Sequence, residues 1–595
     1  MTPHPSPQKG HYRSALALLA LFVQSAARAE EQIVTEPLIV SALRIPQDPS
    51  TVTSAVTVFD PLELQNQGIY QLRDALNLSP GVISTSTGGQ TGAIGSLFIR
   101  GTTTAYSQIV VDGMRLSDST TPLGNILSAG RTYDVGGIEL LRGPQGAIYG
   151  GESIGGVLWL ETPHGSGDLH GSATVEAGSF NSLFTHAMVQ GQTGDLSYYL
   201  SGGYEQTDND GPNQDFHQWN TALRVEGKIN SIWTLGTTYR SSDSYFNDSG
   251  TSDNYLDSQL ATVYAIGKIS DHWTTRFNAG FQQEFYDNDS LFGNYGTDLR
   301  AGSISTDQEI TLTENLRLLA GAFFNENSFQ NTIGTDETST RYGAYSVLEW
   351  DATANLTTTA ALRWEDYDAY GDELTWRIGS IYHITTTGTS IRGGVGTSFR
   401  SPSYLDLFGS SFGAGNPGLQ AESAIGWDFG VEQKIGSHHT VEVTWFHNNI
   451  TDQIQSFPTP PINVSGDSVT DGLEVGLHGS WLENALNYRL AWTYLHQSLS
   501  DQPKNAATAT LDWKPTAKSL IGIGATHLSS HSWGGDPISS YTVARLYGSY
   551  QLTDKIKLIA RLENALDANY ELSSFFGTTI KGAGTGLYAG ITVDW

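Results

Sequence analysis

Five aspartates offer the plainest coordination chemistry in this chain. Asp208 and Asp210 stand two residues apart in Gln206-Thr207-Asp208-Asn209-Asp210-Gly211, Asp215 follows closely, and Asp243 and Asp248 occupy the next polar stretch. Carboxylates spaced this way around a glycine turn suit a hard cation such as Ca2+, which gathers about 6 to 8 oxygens. A single cluster of this kind also reads as a hydrated Asx turn. The two fall on consecutive predicted hairpins, so their loops can meet. The chain has no cysteine, and its histidines fall in no hydrolase motif, so neither an enzyme nor a catalytic cofactor is expected. His438 and His439 are adjacent, and adjacent side chains leave a strand on opposite faces, so they do not share a metal.

The charge balance narrows the partners. Lys and Arg number 31 against 61 Asp and Glu, a formal charge of −30 across 595 residues. Nucleic acid phosphates would be repelled by such a surface, whereas cations and solvated loops are compatible with it. Lys9, His11 and Arg13, the apolar run Ala15 to Val23 and the small residues ending Ala27-Arg28-Ala29 read as a secretory signal peptide cleaved after Ala29. Its apolar core is too short to span a bilayer, and no later segment approaches a transmembrane helix. A membrane location therefore requires a closed β-barrel, the other structure that satisfies its own backbone in lipid.

Two textures divide the rest of the chain. From Arg142 to Pro163, reading RGPQGAIYGGESIGGVLWLETP, six glycines fall between Gly143 and Gly156. Glycine at this density marks tight turns or close backbone approach. From Leu169 onward, apolar and polar residues alternate in short runs. Val441, Val443 and Trp445 alternate with Glu442 and Thr444, and Leu587, Ala589, Ile591, Val593 and Trp595 alternate with Tyr588, Thr592 and Asp594. Such runs build strands with one apolar face, which a soluble sandwich also has. Aromatics at 11% of the chain, long polar stretches such as Asp243 to Asp257 set against short connections such as Thr553-Asp554-Lys555, and an aromatic last residue favour a membrane barrel. The segment has room for about 20 to 24 strands, enclosing a lumen wide enough to need a plug.

The order of the motifs resembles that of TonB-dependent outer-membrane receptors. Leu72-Arg73-Asp74-Ala75-Leu76 with Ser79-Pro80-Gly81-Val82, Phe98-Ile99-Arg100-Gly101, Val110-Val111-Asp112-Gly113 and the glycine-rich segment match the plug. Phe399-Arg400-Ser401-Pro402, Gly415-Asn416-Pro417, Asp471-Gly472-Leu473-Glu474 and Glu563-Asn564-Ala565-Leu566-Asp567 match the barrel. The resemblance implies an all-β transmembrane barrel of about 22 antiparallel strands around an N-terminal α+β plug. Residues 1–29 are then the signal peptide, 30–46 a periplasmic arm, 47–168 the plug and 169–595 the barrel. Glu36, Pro37, Leu38, Ile39, Val40, Ser41 and Ala42 resemble the TonB box, an extended peptide that an energy transducer in the periplasm takes up by strand addition.

The same resemblance implies that Arg100 and Arg142 pair with carboxylates on the barrel wall, for which Asp428 and Glu474 are the candidates. It implies energy-coupled uptake of a scarce, bulky nutrient in the outer membrane of a Gram-negative bacterium, with barrel-assembly machinery, outer-membrane lipid and a corrinoid or metal-chelate ligand as partners. The Thr207-Asp208-Asn209-Asp210-Gly211 segment and the run Leu38 to Arg44 are similar to the cobalamin receptors, which points to Ca2+ in the extracellular loops and to a corrinoid. A ferric siderophore is the alternative cargo. A passive porin, lacking plug and box, is the alternative from another class.

Overall fold

Alternation in the sequence becomes wall in the structure, a computed structural model that describes residues 42–595 apart from 87–89, 118–123, 249, 292, 369, 410–412, 457–459, 534 and 576–577. Twenty-two strands, from His170–Gly178 to Gly586–Asp594, close into one antiparallel barrel. The last strand pairs with the first, Tyr588 with Gly178 through Asp594 with Ser172. Beyond that ladder, Trp595 and Gly171 exchange backbone hydrogen bonds of 3.0 and 3.1 Å. Closure leaves no open edge, which lipid could not hydrogen-bond.

The two faces of the wall differ as the alternation requires. Val263, Ile304, Leu374 and Leu587 stand between 58% and 61% exposed on the outside, whereas Thr238, Gln282 and Glu365 are buried on the lumen side. An apolar band this extensive on a closed barrel is a lipid face. Exposed Trp273, Trp350, Trp481 and Trp513 lie beside connections of a few residues, such as those joining Thr353 to Leu356 and Thr516 to Ser519. At the opposite end the connections are long, as from Arg400 to Glu422 and from Thr451 to Asp467.

One stretch departs from the sequence reading. Asp243 to Asp257 is not a long loop. The strands Trp233–Asp248 and Ser252–Ser270 run straight through it, pairing Asp243 with Asp257, Tyr245 with Tyr255 and Asp248 with Ser252. A tilted strand crosses the bilayer in about 9–11 residues, and strands here reach 21 residues. Above the lipid both faces are wet, so the apolar alternation disappears while the backbone ladder continues.

The plug folds on its own apolar core inside this wall. Its main sheet has the order β1 (Ala55–Phe59), β6 (Gly137–Arg142), β7 (Gly156–Glu161), β4 (Ser107–Val111) and β5 (Met114–Arg115), and a separate hairpin joins β2 (Val82–Ser86) to β3 (Gly95–Ile99). Only the β4–β7 pair is parallel. Three short helices, α1 (Pro61–Asn66), α2 (Leu72–Leu76) and α3 (Gly124–Ala129), flank it. Asp60 caps α1 by accepting from the Leu62 amide at 2.9 Å, with Pro61 in the first turn. Phe59, Leu64, Leu72, Leu76, Leu97, Ile109, Ile138 and Leu158 form one buried cluster between helices and sheet.

The glycine-rich segment is where this core meets its surroundings most closely. In β7, between β6 and β4, Gly156 leaves no room for a side chain: an added Cβ would stand 2.2 Å from the Leu141 carbonyl oxygen. At Gly146, which opens α4 (Gly146–Tyr149), an added Cβ would fall 2.6 Å from the Thr397 carbonyl of the barrel wall. Glycine is therefore set here by close approach, within the plug and against the barrel. Gly156→Val should part β6 from β7 and cost the plug at least about 1–3 kcal/mol, while the barrel keeps its ladder. Limited proteolysis in detergent should then cut within residues 107–161, with unchanged heat-modifiable migration of the barrel; a plug as protease-resistant as wild type would contradict this packing.

Candidate functional site

Two tight features of the plug aim its arginines outward. At the end of β3, Arg100 and Gly101 both take left-handed backbone angles, φ 54° and 77°, and the Thr102 amide bonds back to the Ile99 carbonyl at 3.1 Å. A left-handed arginine costs roughly 1–2 kcal/mol, so its contacts must more than repay the strain. The Arg100 guanidinium donates to both Glu474 carboxylate oxygens, Nε at 2.7 Å and Nη2 at 3.1 Å, and to Asp428 at 3.0 Å. Its face lies 5.1 Å from the centre of the Phe446 ring. Arg142, the last residue of β6, donates to the same Glu474 at 2.8 Å, to the Pro80 carbonyl at 2.9 Å and to Glu442 at 3.2 Å.

The centre of the network is deeply buried. The side chains of Arg100, Asp428, Glu474 and Arg142 are each at most 1% exposed. Arg392 of the wall completes it by donating to Glu442 and to Thr444. Burial pulls the Arg100 guanidinium down, but Glu474 and Asp428 more than reverse this and hold it above its ordinary value, so it stays charged at any physiological pH. Glycine admits the partner: at Gly81, φ 79°, an added Cβ would lie 1.9 Å from Glu474 Oε1. Glu442 and Arg392 were not singled out from the sequence, although the alternation that turns Val441, Val443 and Trp445 outward already assigns Glu442 to the lumen.

Further pairs run in both directions around the rim of the plug. Wall arginines reach plug aspartates, Arg224 to Asp112 at 2.8 Å and Arg240 to Asp134 at 2.8 Å. In the opposite sense, Arg131 of the plug reaches Glu205 at 2.8 Å. Asp112 also accepts from the Thr162 amide at 2.8 Å and from its hydroxyl, tying the end of β4 to the end of β7.

Of the TonB-box residues, Glu36, Pro37, Leu38, Ile39, Val40 and Ser41 lie outside the described residues, as does the signal peptide. Ala42 is described. With Leu43 and Ile45 it is buried in a cluster that includes Tyr149, Trp159, Leu319 and Val347, and Arg44 stands 3.7 Å from Asp307 of the wall.

Two of the five aspartates expected to hold calcium accept hydrogen bonds from neighbouring segments. Asp210 accepts from the Gly584 amide at 2.7 Å, and Asp208 from Asn181 at 3.4 Å. Asp243 faces Asp257 across the strand pair. The two segments do touch, through a 2.9 Å bond from the Asn247 amide to the Asp215 carbonyl. Among the described residues, no three acidic or histidine side chains gather as a metal centre. The five carboxylates do not converge in this arrangement.

Gly151-Glu152-Ser153-Ile154-Gly155 spells the hydrolase pattern GxSxG, contrary to the expectation that the chain carries no hydrolase motif. Ser153 is fully buried and donates to the Gly150 carbonyl at 2.5 Å, with the Ser398 hydroxyl at 3.3 Å. Ser153 thus packs within the glycine segment and against Ser398 of the wall.

A profile described as the TonB-dependent receptor plug domain matches residues 48–157, and one described as a TonB-dependent receptor-like beta-barrel matches residues 158–565. The chain is 23% identical to a protein named vitamin B12 transporter BtuB from Photobacterium profundum, over 93% of this chain and 96% of that protein. It is 24% identical to one of the same name from Vibrio vulnificus strain YJ016, over 98% of each. Among solved structures it resembles the siderophore receptor PirA from Acinetobacter baumannii, with a TM-score of 0.80 at 17% identity over 91% of this chain and 98% of that one. It also resembles the ferric enterobactin receptor PfeA from Pseudomonas aeruginosa, with a TM-score of 0.79 at 17% identity over 94% and 100%.

Because one carboxylate serves two buried guanidiniums, Glu474→Ala should destabilise the seated plug by about 3–5 kcal/mol, and by more than Asp428→Ala, which removes a single bond. Amide hydrogen exchange in β3 and β6 should accelerate accordingly. Unchanged protection there would show that the pairs contribute nothing to seating.

Proposed function

The chain belongs to the TonB-dependent receptors, outer-membrane proteins of Gram-negative bacteria, and from that premise we propose that it takes up a corrinoid by an energy-coupled route. The observation that carries transport is the plug itself. It fills the lumen and is tied to the wall by buried charge pairs, an obstruction that a passive porin has no use for. What supports a corrinoid is that relatives spanning nearly the whole chain are named vitamin B12 transporters.

The arrangement supplies a route for force. The arm leads into β1, an edge strand that pairs only with β6. The first rung of that ladder joins Ala55 to Arg142, the residue held by Glu474 and Glu442. A pull on the arm therefore acts on a ladder that opens one rung at a time, beginning beside an arginine of the wall network. Ligand binding at the outer face presents residues 36–42 to the TonB transducer, the transducer pulls, and loss of the Arg142 and Arg100 pairs releases the plug from the wall. In this role the two arginines act as latches: strong enough to hold the plug in the resting state, and separable once water reaches the charges.

Calcium is part of the proposal for the neighbouring outer segments. Asp215 and Asp248 come from stretches already bonded through Asn247, so an ion that drew their carboxylates together would order a binding surface in advance.

Deleting residues 36–42 should abolish uptake of labelled cyanocobalamin by cells while leaving its binding to the purified receptor intact. Surviving uptake would end the energy-coupling reading. Equilibrium titration with cyanocobalamin should give saturable binding that weakens when calcium is chelated. Tight binding of a ferric siderophore in place of cyanocobalamin would move the cargo to the iron chelates, the class named by the similar solved structures.

A further inference from the structure

The wall carries two arginines of its own beside the carboxylates that hold the plug. Arg377, on the strand Gly371–Ile384, and Arg392, on the strand Thr389–Arg400, are both buried on the lumen side. Arg392 donates to Oε1 of Glu442, the same oxygen that Arg142 of the plug reaches at 3.2 Å, and to the Thr444 hydroxyl at 3.0 Å. Arg377 is placed differently. Its Nη1 donates to the Pro144 carbonyl of the glycine segment at 3.2 Å, and its buried Nη2 has no hydrogen-bond partner.

A matching acceptor lies beside it. Gly394 stands opposite Asp428 in the ladder, and the Arg377 guanidinium lies against Gly394, where an added Cβ would fall 2.7 Å from Nη2. Asp428 gives its Oδ2 to Arg100 at 3.0 Å, while its buried Oδ1 has no partner. The ionised groups that act on Arg377 are Asp428 and Arg100. Those that act on Arg392 are Glu442, Asp428 and the half-buried Glu432. Buried donors and acceptors are ordinarily satisfied, so a free N–H beside a free carboxylate oxygen is a half-made pair, kept apart by what each member binds on the plug. On the side of the short connections, a cavity of about 540 Å3 separates Val56 and Val58 of β1 from the wall, with Arg392 and Glu442 among its lining. Glu442 is accordingly 18% exposed where Asp428 and Glu474 are 1% exposed. Solvent therefore reaches the Glu442 end of the network before its centre.

Resting on the energy-coupled reading, we infer that Arg377 and Arg392 are replacement counter-ions, which neutralise Asp428 and Glu442 when Arg100 and Arg142 leave with the plug. Taking away one partner of a buried pair strands the other, and that stranded charge is the main cost of separation. Arg392 already holds Glu442, so the departure of Arg142 uncovers no bare carboxylate there. At Asp428, the departure of Arg100 and of the Pro144 carbonyl frees the acceptor and the Arg377 donors together. One guanidinium succeeds another at the same carboxylate, and arginine suits the exchange because its planar fork offers several donors at once. Glu474 has no such substitute among the described residues, since both of its guanidiniums come from the plug. The wall thus eases release at two of its carboxylates and leaves the third to hold the plug.

Two measurements on the whole receptor test this. In a crystal structure of Arg100→Gln, Arg377 should donate directly to Asp428, at about 3 Å. An Asp428 left unbridged, or held by an ion in place of Arg377, overturns the exchange whatever the protein transports. For Arg392 the sign of the effect decides. Arg392→Gln removes the replacement but leaves Arg142 on Glu442, so amide hydrogen exchange in β6 should be unchanged or slower. Uptake of labelled cyanocobalamin by cells should slow by at least about tenfold, with binding to the purified receptor unaltered, and Arg392→Lys should recover part of the rate. An arginine that merely props the seated network gives the opposite result, faster exchange in β6. That result, or uptake at the wild-type rate, overturns the role of Arg392. If the wild type takes up no cyanocobalamin, the uptake reading fails, while the crystal structure and β6 exchange still decide the wall arginines.

Discussion

Glu474 accepts hydrogen bonds from two plug arginines that approach from different parts of the plug, one from the β2–β3 hairpin and one from the end of β6. A charge buried this deeply is tolerable only while it is paired, and the penalty for separating one partner is several times that of an exposed pair. The plug is thereby held in one orientation, since a small rotation would strand Arg100, Arg142, Asp428 and Glu474 together. The same property makes the seating reversible, because water reaching the charges would remove most of the penalty. The left-handed conformation of Arg100, the absence of a side chain at Gly81 and the glycines of residues 143–156 are conditions for this fit.

The barrel sets the opposite demand. Its outer face must be apolar and its backbone satisfied without water, which forces closure and strict alternation. Its inner face is then free to be polar, and it carries the arginines and carboxylates that meet the plug. Two-way pairing, with wall arginines on plug aspartates as well as plug arginines on wall carboxylates, spreads the attachment around the circumference. The largest apolar cluster lies mainly within the plug, while smaller ones join plug to wall, Tyr149 and Trp159 with Leu319 and Val347 and Phe98 with Phe446 and Leu495, so apolar contact and charge pairs together set the plug's position.

Much of this was legible from the chain alone, because a strand side chain has only two directions in which to point. Val441, Val443 and Trp445 declared their face, and that parity also carried Glu442 inward, though the residue went unremarked until its bond to Arg142 was seen. The polar run Asp243 to Asp257 misled for the complementary reason. Once a strand rises above the lipid, neither face is selected for apolar residues, and the ladder from Asp243–Asp257 to Asp248–Ser252 leaves no compositional trace. The glycines were read correctly as close approach, but whether to the plug or the wall was beyond their spacing. Gly156 meets its own sheet and Gly146 meets the barrel.

The sequence by itself determined the class of machine: local periodicity specifies strands, their number specifies a wide lumen, and the order of the plug motifs specifies what fills it. Only the tertiary structure decided which charges meet. Arg100 and Glu474 are separated by 374 positions, and at such distances nothing in the intervening chain records the pairing; it is created when the strand Asp467–Trp481 takes its place in the barrel opposite the β3 turn.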